Sequence, residues 1–125
     1  MRAALCIGLT LLAAPAWAEW TRAKDNAQRT SYMDLDFVKV GDLRRGWMLL
    51  DFKNRFPADQ GGFHSGKIRF ELDCKEKKAR MIEMVNYAEP MLRGEIVVHD
   101  KEADEWGPIP PDSDIELMFM LACGK

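Results

Sequence analysis

Between Lys67 and Cys74 every second residue is apolar: Ile68, Phe70, Leu72 and Cys74 alternate with Lys67, Arg69, Glu71 and Asp73. Successive side chains on a strand point to opposite faces, so the run reads as a strand with one buried face and one wet face. One-sided burial is typical of antiparallel sheets, whose dry face then has to be covered by another layer. The run ends on a cysteine that stands 49 residues before Cys123.

Residues 1–18 have the form of an export signal. Arg2 supplies a positive start, Leu5 to Ala14 is a short apolar run, and Ala16-Trp17-Ala18 places small residues where a signal peptidase cuts. A permanent membrane helix needs about 20 apolar residues, more than this run offers. The expected organisation is a signal peptide over residues 1–18 and a single domain over 19–125, beginning at Glu19 and living in the periplasm or secreted. A lipoprotein signal would end at a cysteine; Cys6 lies inside the apolar run instead, so no lipid anchor is expected. No later run approaches spanning length, so no transmembrane span is expected in the mature chain.

Export changes the charge and cysteine counts. Without Arg2 the mature chain has 17 basic and 20 acidic side chains, a balance of −3, which is no footprint for nucleic acid. Cys6 leaves with the signal, and Cys74 and Cys123 remain. Two cysteines in an exported domain read as a disulfide, which in the chain-entropy account restricts the unfolded state by about 4 kcal/mol for a loop of this size. A metal site is the rival reading, but only His64 and His99 exist and neither stands at a ligand spacing from either cysteine. A catalytic thiol would have to stay reduced where oxidation is favoured.

Along the chain, Trp20 to Arg29 reads as a loop or a poor first strand. Thr30 to Val40 reads as one strand, with Met33, Leu35 and Phe37 alternating with Asp34 and Asp36. Gly46 to Phe52 is apolar on both sides at its centre, as an inner strand would be, and Trp47 within it is read as core. Phe56 to Gly62, with Pro57 and a glycine pair, reads as a loop. Lys75 to Lys78 connects the alternating strand to a partner over Arg80 to Tyr87, and Glu95 to His99 forms a further short strand. Trp106 to Pro111 is an extended connector. The period then changes. Ser113 and Glu116 have capping-box spacing, and Ile115, Met118, Phe119 and Ala122 share one helical face, so Ser113 to Cys123 is expected to be a helix packed on the sheet. The expected fold class is α+β: a small antiparallel sheet of about five to six strands with one C-terminal helix packed on it and a disulfide.

No catalytic set emerges. His64 and Ser65 are neighbours that a strand would turn to opposite faces, and no Gly-x-Ser-x-Gly elbow surrounds Ser65. Asp34 and Asp36 read as a solvated strand face, and Asp112 and Asp114 as acids favoured at a helix start. Lys75 to Arg80 with Arg44 and Arg45 reads as a solvated hairpin tip rather than a site for a polyanion such as heparin or lipid headgroups, because Glu76 interrupts it and the domain is acidic. The expectation is therefore no catalytic residue, no metal ligand and no cofactor, with Cys74 and Cys123 as the only assigned pair.

Taken in order, Trp20, Ser31-Tyr32-Met33-Asp34, the strand containing Trp47, Ser65 ahead of Asp73-Cys74, Tyr87 to Gly94, Trp106, Pro111-Asp112-Ser113 and Cys123 resemble the surface-adhesin protein E family of Gram-negative bacteria. The match spans Trp20 to Cys123, and its most telling part is an Asp-Cys strand end coupled to a Ser-led helix that ends in Cys. The resemblance implies an antiparallel sheet with one C-terminal helix tied by a disulfide, and an adhesin-like module that contacts host or matrix proteins. It also implies haem binding as another possibility. Function in that family is attached to surface display by lipidation, and no ligand motif of the family maps onto particular residues here. The leading reading is an exported, non-enzymatic binding module that meets a protein partner of the envelope or host matrix through sheet edges and loops such as Arg55 to Gly62 and Asp100 to Trp106. The alternative is a periplasmic carrier or sensor holding haem or an apolar ligand between sheet and helix, motivated by Met118, Phe119 and His99. Oligomeric state is not legible.

Overall fold

The alternating run becomes β5 (Ser65–Asp73), an inner strand of an eight-stranded antiparallel sheet. The computed structural model describes residues 19–124, so the expected signal peptide lies outside the described residues. The other strands are β1 (Trp20–Asp25), β2 (Arg29–Asp34), β3 (Val38–Val40), β4 (Leu43–Phe52), β6 (Lys78–Glu89), β7 (Arg93–Asp100) and β8 (Gly107–Pro108). A single α-helix among the described residues, α1 (Asp114–Cys123), follows them. The order across the sheet is β1-β2-β4-β5-β6-β7, with β3 on β4 beside β2 and β8 on β6 beside β7.

The sheet has more strands than the five to six expected, for three local reasons. The polar Trp20–Asp25 segment pairs with β2, so it is a strand and not a loop. The expected strand over Thr30 to Val40 breaks in two. Asp34 Oδ1 accepts the Asp36 amide at 3.0 Å, a turn made by the side chain that lifts the backbone off the ladder. The chain returns as β3, which makes a hairpin with β4 through Gly41 at φ 62°. Leu35 at the break is 47 % exposed. Phe37 does reach the core, its ring filling the space a Cβ on Gly46 would occupy at 2.7 Å. Finally, two residues of the extended connector pair with Lys78 and Ala79 as β8.

The core lies on one face of the sheet. Met33, Met48, Phe70, Leu72 and Ala79 are buried there against Met118 of α1. Ile115, Phe119 and Ala122 of the predicted stripe pack on the same cluster. A helix of this length is marginal alone in water, so its stability has to come from this packing and from its two ends. At the start, Ser113 Oγ accepts the Glu116 amide at 3.1 Å, the expected cap, while Glu116 Oε1 accepts the Asp112 amide at 2.9 Å. Asp114 is buried and takes hydrogen bonds from Arg29 at 2.9 Å and Ser31 Oγ at 3.2 Å, fixing this end to β2. At the far end Cys123 is bonded to Cys74 beyond β5, with Cα atoms 5.5 Å apart. Met118 and Leu72 are fully buried, and side chains of that size contribute about 1.5–3 kcal/mol each.

Candidate functional site

The helix covers one face of the sheet. The other carries the charged half of the alternation, and the register shows what it meets. Arg45, Glu71 and Arg80 stand opposite one another across β4, β5 and β6. The next row is Trp47, Arg69 and Glu83, and the one after it is Leu49, Lys67 and Val85, with Tyr32 and His99 at its ends. The rows hold because the β5–β6 register slips once, between the pairs Phe70–Met81 and Arg69–Glu83, which leaves Ile82 as an extra residue and returns Glu83 to the charged side.

This face is not simply wet. Glu71 is 1 % exposed, with Arg45 donating from Nε to its Oε2 at 2.9 Å and Arg80 donating to its Oε1 at 2.8 and 2.9 Å. Burial works to raise its pKa, but the hydrogen bonds from Arg80 and Arg45 outweigh burial and hold the carboxyl below its ordinary value. Arg80 also lies 4.5 Å above the ring of Trp106, and Lys67 Nζ and the Arg69 guanidinium sit 4.8 and 5.8 Å from the Trp47 ring. Lys67 and Arg69 make no ion pair among the described residues, and Arg69 Nε is buried without a hydrogen-bond partner. Leu49 and Val85 beneath this layer are 1 % and 3 % exposed.

The edges are a second feature. β7 pairs only with β6, and β3 only with β4. Both present exposed aliphatics: Ile96 is 53 % exposed, and Val38 and Val40 are 48 % and 46 % exposed. An edge strand has unpaired backbone donors and acceptors that an extended segment of another chain can pair with. The loop after β4 is held by its own aromatic cluster, Phe56 stacking on Phe63 at 4.3 Å with Phe52 edge-on to both. Asp100 to Trp106 runs along the sheet margin, the Asp104 amide donating to the Met81 carbonyl at 2.9 Å and residues 101–105 exposed.

The residues singled out from sequence separate. Ser65 is fully buried and its hydroxyl is occupied, donating to the Glu89 carbonyl at 2.7 Å and accepting the Leu92 amide at 2.8 Å. It holds the β6–β7 turn, where Met91 and Leu92 both have positive φ, with the Asp51 carboxylate accepting the Met91 amide at 2.8 Å. His99 lies on the charged face, bonded to Glu83 at 2.8 Å, whereas Met118 is in the core on the opposite side. The structure therefore does not bring His99 and Met118 together. Helix and sheet meet in the core cluster, and two cavities border it. One, of about 260 Å³, is lined by Phe70, Arg80, Asp104 and Ile115; the other, of about 470 Å³, by Ile109, Phe119 and Met120. Trp47, expected in the core, is half-buried on the charged face, because the period of two turns it opposite to Met48. Arg44 and Arg45 are split in the same way: Arg44 donates to the Gly41 and Leu43 carbonyls while Arg45 joins Glu71. Asp114, expected only to favour the helix dipole, is a buried anchor. No group of three or more His, Cys, Asp or Glu residues converges as a metal site among the described residues, and no described helix is long and apolar enough to cross a membrane. Sequence reading missed the grouping of Lys67 and Arg69 around Trp47. Their alternation was visible, but the strand register that brings them to the indole was not.

A one-layer antiparallel sheet, backed on one face by a helix pinned at both ends, with the short Pro90–Leu92 turn closing one end of its charged face, defines a small disulfide-tied α+β domain. The chain belongs to the surface-adhesin protein E family, whose sequence pattern it matches over residues 17–124. Its fold is that of protein E from Haemophilus influenzae. Crystal form II of that protein superposes with a TM-score of 0.64 at 12 % identity, covering 88 % of this chain and 91 % of the other. A second structure of the same protein gives 0.59 at 13 % identity, covering 88 % and 87 %. Protein E from a non-typeable strain gives 0.62 at 12 % identity, covering 89 % and 79 %. No curated protein matches the chain.

Proposed function

We propose that this chain is an exported, non-enzymatic binding module, processed after Ala18, that contacts proteins of the cell envelope or host matrix. The observation that carries the reading is that two of the strands paired on one side only, β3 and β7, keep aliphatics exposed at Val38, Val40 and Ile96. Monomeric proteins tend to blunt such edges with charge, and an edge that keeps exposed aliphatics suits an added strand from a partner. Family membership supports an adhesin-like role. The occupied hydroxyl of Ser65 supports the non-enzymatic part, since it serves the fold as a clamp.

The test is capture from envelope and matrix extracts on the immobilised protein, with Val38→Lys and Ile96→Lys as edge variants. The expected result is a partner held at micromolar levels and weakened about tenfold or more by one of the two lysines, which cannot be accommodated beside an added apolar strand. Absence of any partner at micromolar levels, or full retention by both variants together, would contradict it.

A further inference from the structure

We infer that the charged face of the sheet is a binding surface for a sulfated polysaccharide, with Lys67 and Arg69 beside Trp47 as its anchor and Arg45 and Arg80 as its flank. This surface is distinct from the strand edges and does not depend on the protein partner proposed above. Strands lie about 4.8 Å apart and rise about 3.4 Å per residue, so these four cations fall within a patch of about 10 by 14 Å. The patch holds only two carboxylates, Glu71 and Glu83, in a mature chain whose overall balance is −3. Positive charge is thus concentrated where the protein as a whole is acidic.

The pairing inside the patch shows which charges are available. Glu71 is committed to Arg45 and Arg80, and Glu83 to His99. Among the described residues Lys67 and Arg69 make no ion pair, although Glu83 stands across from Arg69, and both lie near the indole of Trp47. A cation held partly out of water gains more from an added anion than a freely hydrated one. Sulfate groups on a linear glycan supply anions at repeated intervals. Trp47, half-buried beside Lys67 and Arg69, places an indole where an anion taken up by these cations would alter its surroundings.

The same geometry disfavours an apolar protein ligand on this face. Its aliphatic side chains, Leu49 and Val85, are already 1 % and 3 % exposed under the chain's own polar layer. Little apolar area remains to be buried, and the attraction left to the face is electrostatic. The Lys75 to Lys78 turn is a poorer candidate despite its contiguous charge. Asp73 Oδ1 accepts the Lys75 and Glu76 amides there, and the adjoining side chains are exposed to water.

The experiment is a binding titration of the purified protein with heparin as the probe, at low ionic strength and at physiological salt. Chemically desulfated heparin, polyglutamate and anionic phospholipid vesicles serve as comparison ligands. Heparin is expected to bind, weaken as salt rises, and change the tryptophan fluorescence in a way that Trp47→Phe reduces. Desulfated heparin is expected not to bind. The double variant Lys67→Gln/Arg69→Gln is expected to lose about tenfold or more in affinity, since each lost charge-assisted hydrogen bond is of that order. Lys67→Arg/Arg69→Lys, which keeps the charges, is expected to bind and shows whether the site survives substitution. No heparin binding at low salt would overturn the inference. So would unchanged affinity in the charge-removing variant, or equal or tighter binding of polyglutamate or vesicles. Protein capture through the strand edges is expected to persist in the double variant, so failure of one reading leaves the other standing.

Discussion

The two faces of this sheet bury side chains equally well by different means. On one, Leu72, Met48 and Phe70 lie beneath α1, a helix fixed to β2 by Asp114 and to the end of β5 by a disulfide. On the other, Leu49, Val85 and Glu71 reach similar burial with no helix spanning them, the short Pro90–Leu92 turn closing only the Asp51–Ser65 end of this face. The rest of their cover is the long side chains of the same sheet, with cations laid over indoles and arginines closed on a carboxylate. The first cover is an element locked at both ends. The second consists of side chains that can move individually, and it keeps charge at its surface.

The comparison would break first at matched leucines. Leu72→Ala, under the helix, is expected to cost about 4 kcal/mol in urea unfolding, because the pinned layer cannot collapse into the cavity. Leu49→Ala is expected to cost nearer 2 kcal/mol, at the low end for such a change, because its side-chain cover can close inward. Equal costs would show that the polar layer is as rigid as the helix.

Removing the disulfide through Cys74→Ser with Cys123→Ser is expected to cost about 3 kcal/mol. Loss of helical circular dichroism ahead of the sheet signal would show that the bond chiefly holds α1.

Glu71→Gln sharpens the comparison on the charged face. Breaking a buried ion pair costs about 3–5 kcal/mol, but Arg45 and Arg80 are 38 % and 30 % exposed, and that solvent access brings the expectation down to about 2 kcal/mol. The effect has a definite pH dependence. The folded pKa of Glu71 is depressed below its ordinary value of 4.5, so the unfolded chain takes up the proton first as pH falls. The stabilisation is complete above about pH 4.5 and is lost as pH drops through the folded value. The gap in stability between the original chain and the glutamine variant should therefore narrow below that pH in unfolding titrations; a constant gap would deny Glu71 this role.

The smallest effect is expected at Ser65→Ala, about 1–2 kcal/mol from the unmade hydrogen bonds at the β6–β7 turn. Proteolysis or hydrogen exchange confined to residues 89–93 would register it. Unchanged protection there would mean that Asp51 holds the turn alone.

Much of this fold can be read from the chain because its signals are local. The alternation at Lys67 to Asp73, the cap at Ser113 and the stripe through Met118 each depend on neighbours a few residues away; the strand, the cap and the stripe appear as expected, while the face expected to be wet buries Glu71. The break at Asp34 was not legible, since the alternation of Met33, Leu35 and Phe37 continues through it; only the side-chain turn to Asp36 ends the strand. The short strands β3 and β8 exist because an adjacent strand offers free backbone groups, which no period within three or two residues can announce. The charged face was half legible. Its members follow from the period of two, but their grouping depends on a register with one bulge between β5 and β6.

The central claim is that the helix-backed face is closed by its core, whereas the charged face, though it also buries side chains, keeps Lys67 and Arg69 available to a ligand. Chemical-shift mapping of the isotope-labelled protein during titration with a heparin oligosaccharide tests it most directly. The account predicts shifts at the Trp47 indole N–H and at the residues of β4, β5 and β6 around Lys67 and Arg69, with α1 unaffected. Shifts centred on α1 and the cavity beside Phe119 and Met120, with Trp47 silent, would contradict it.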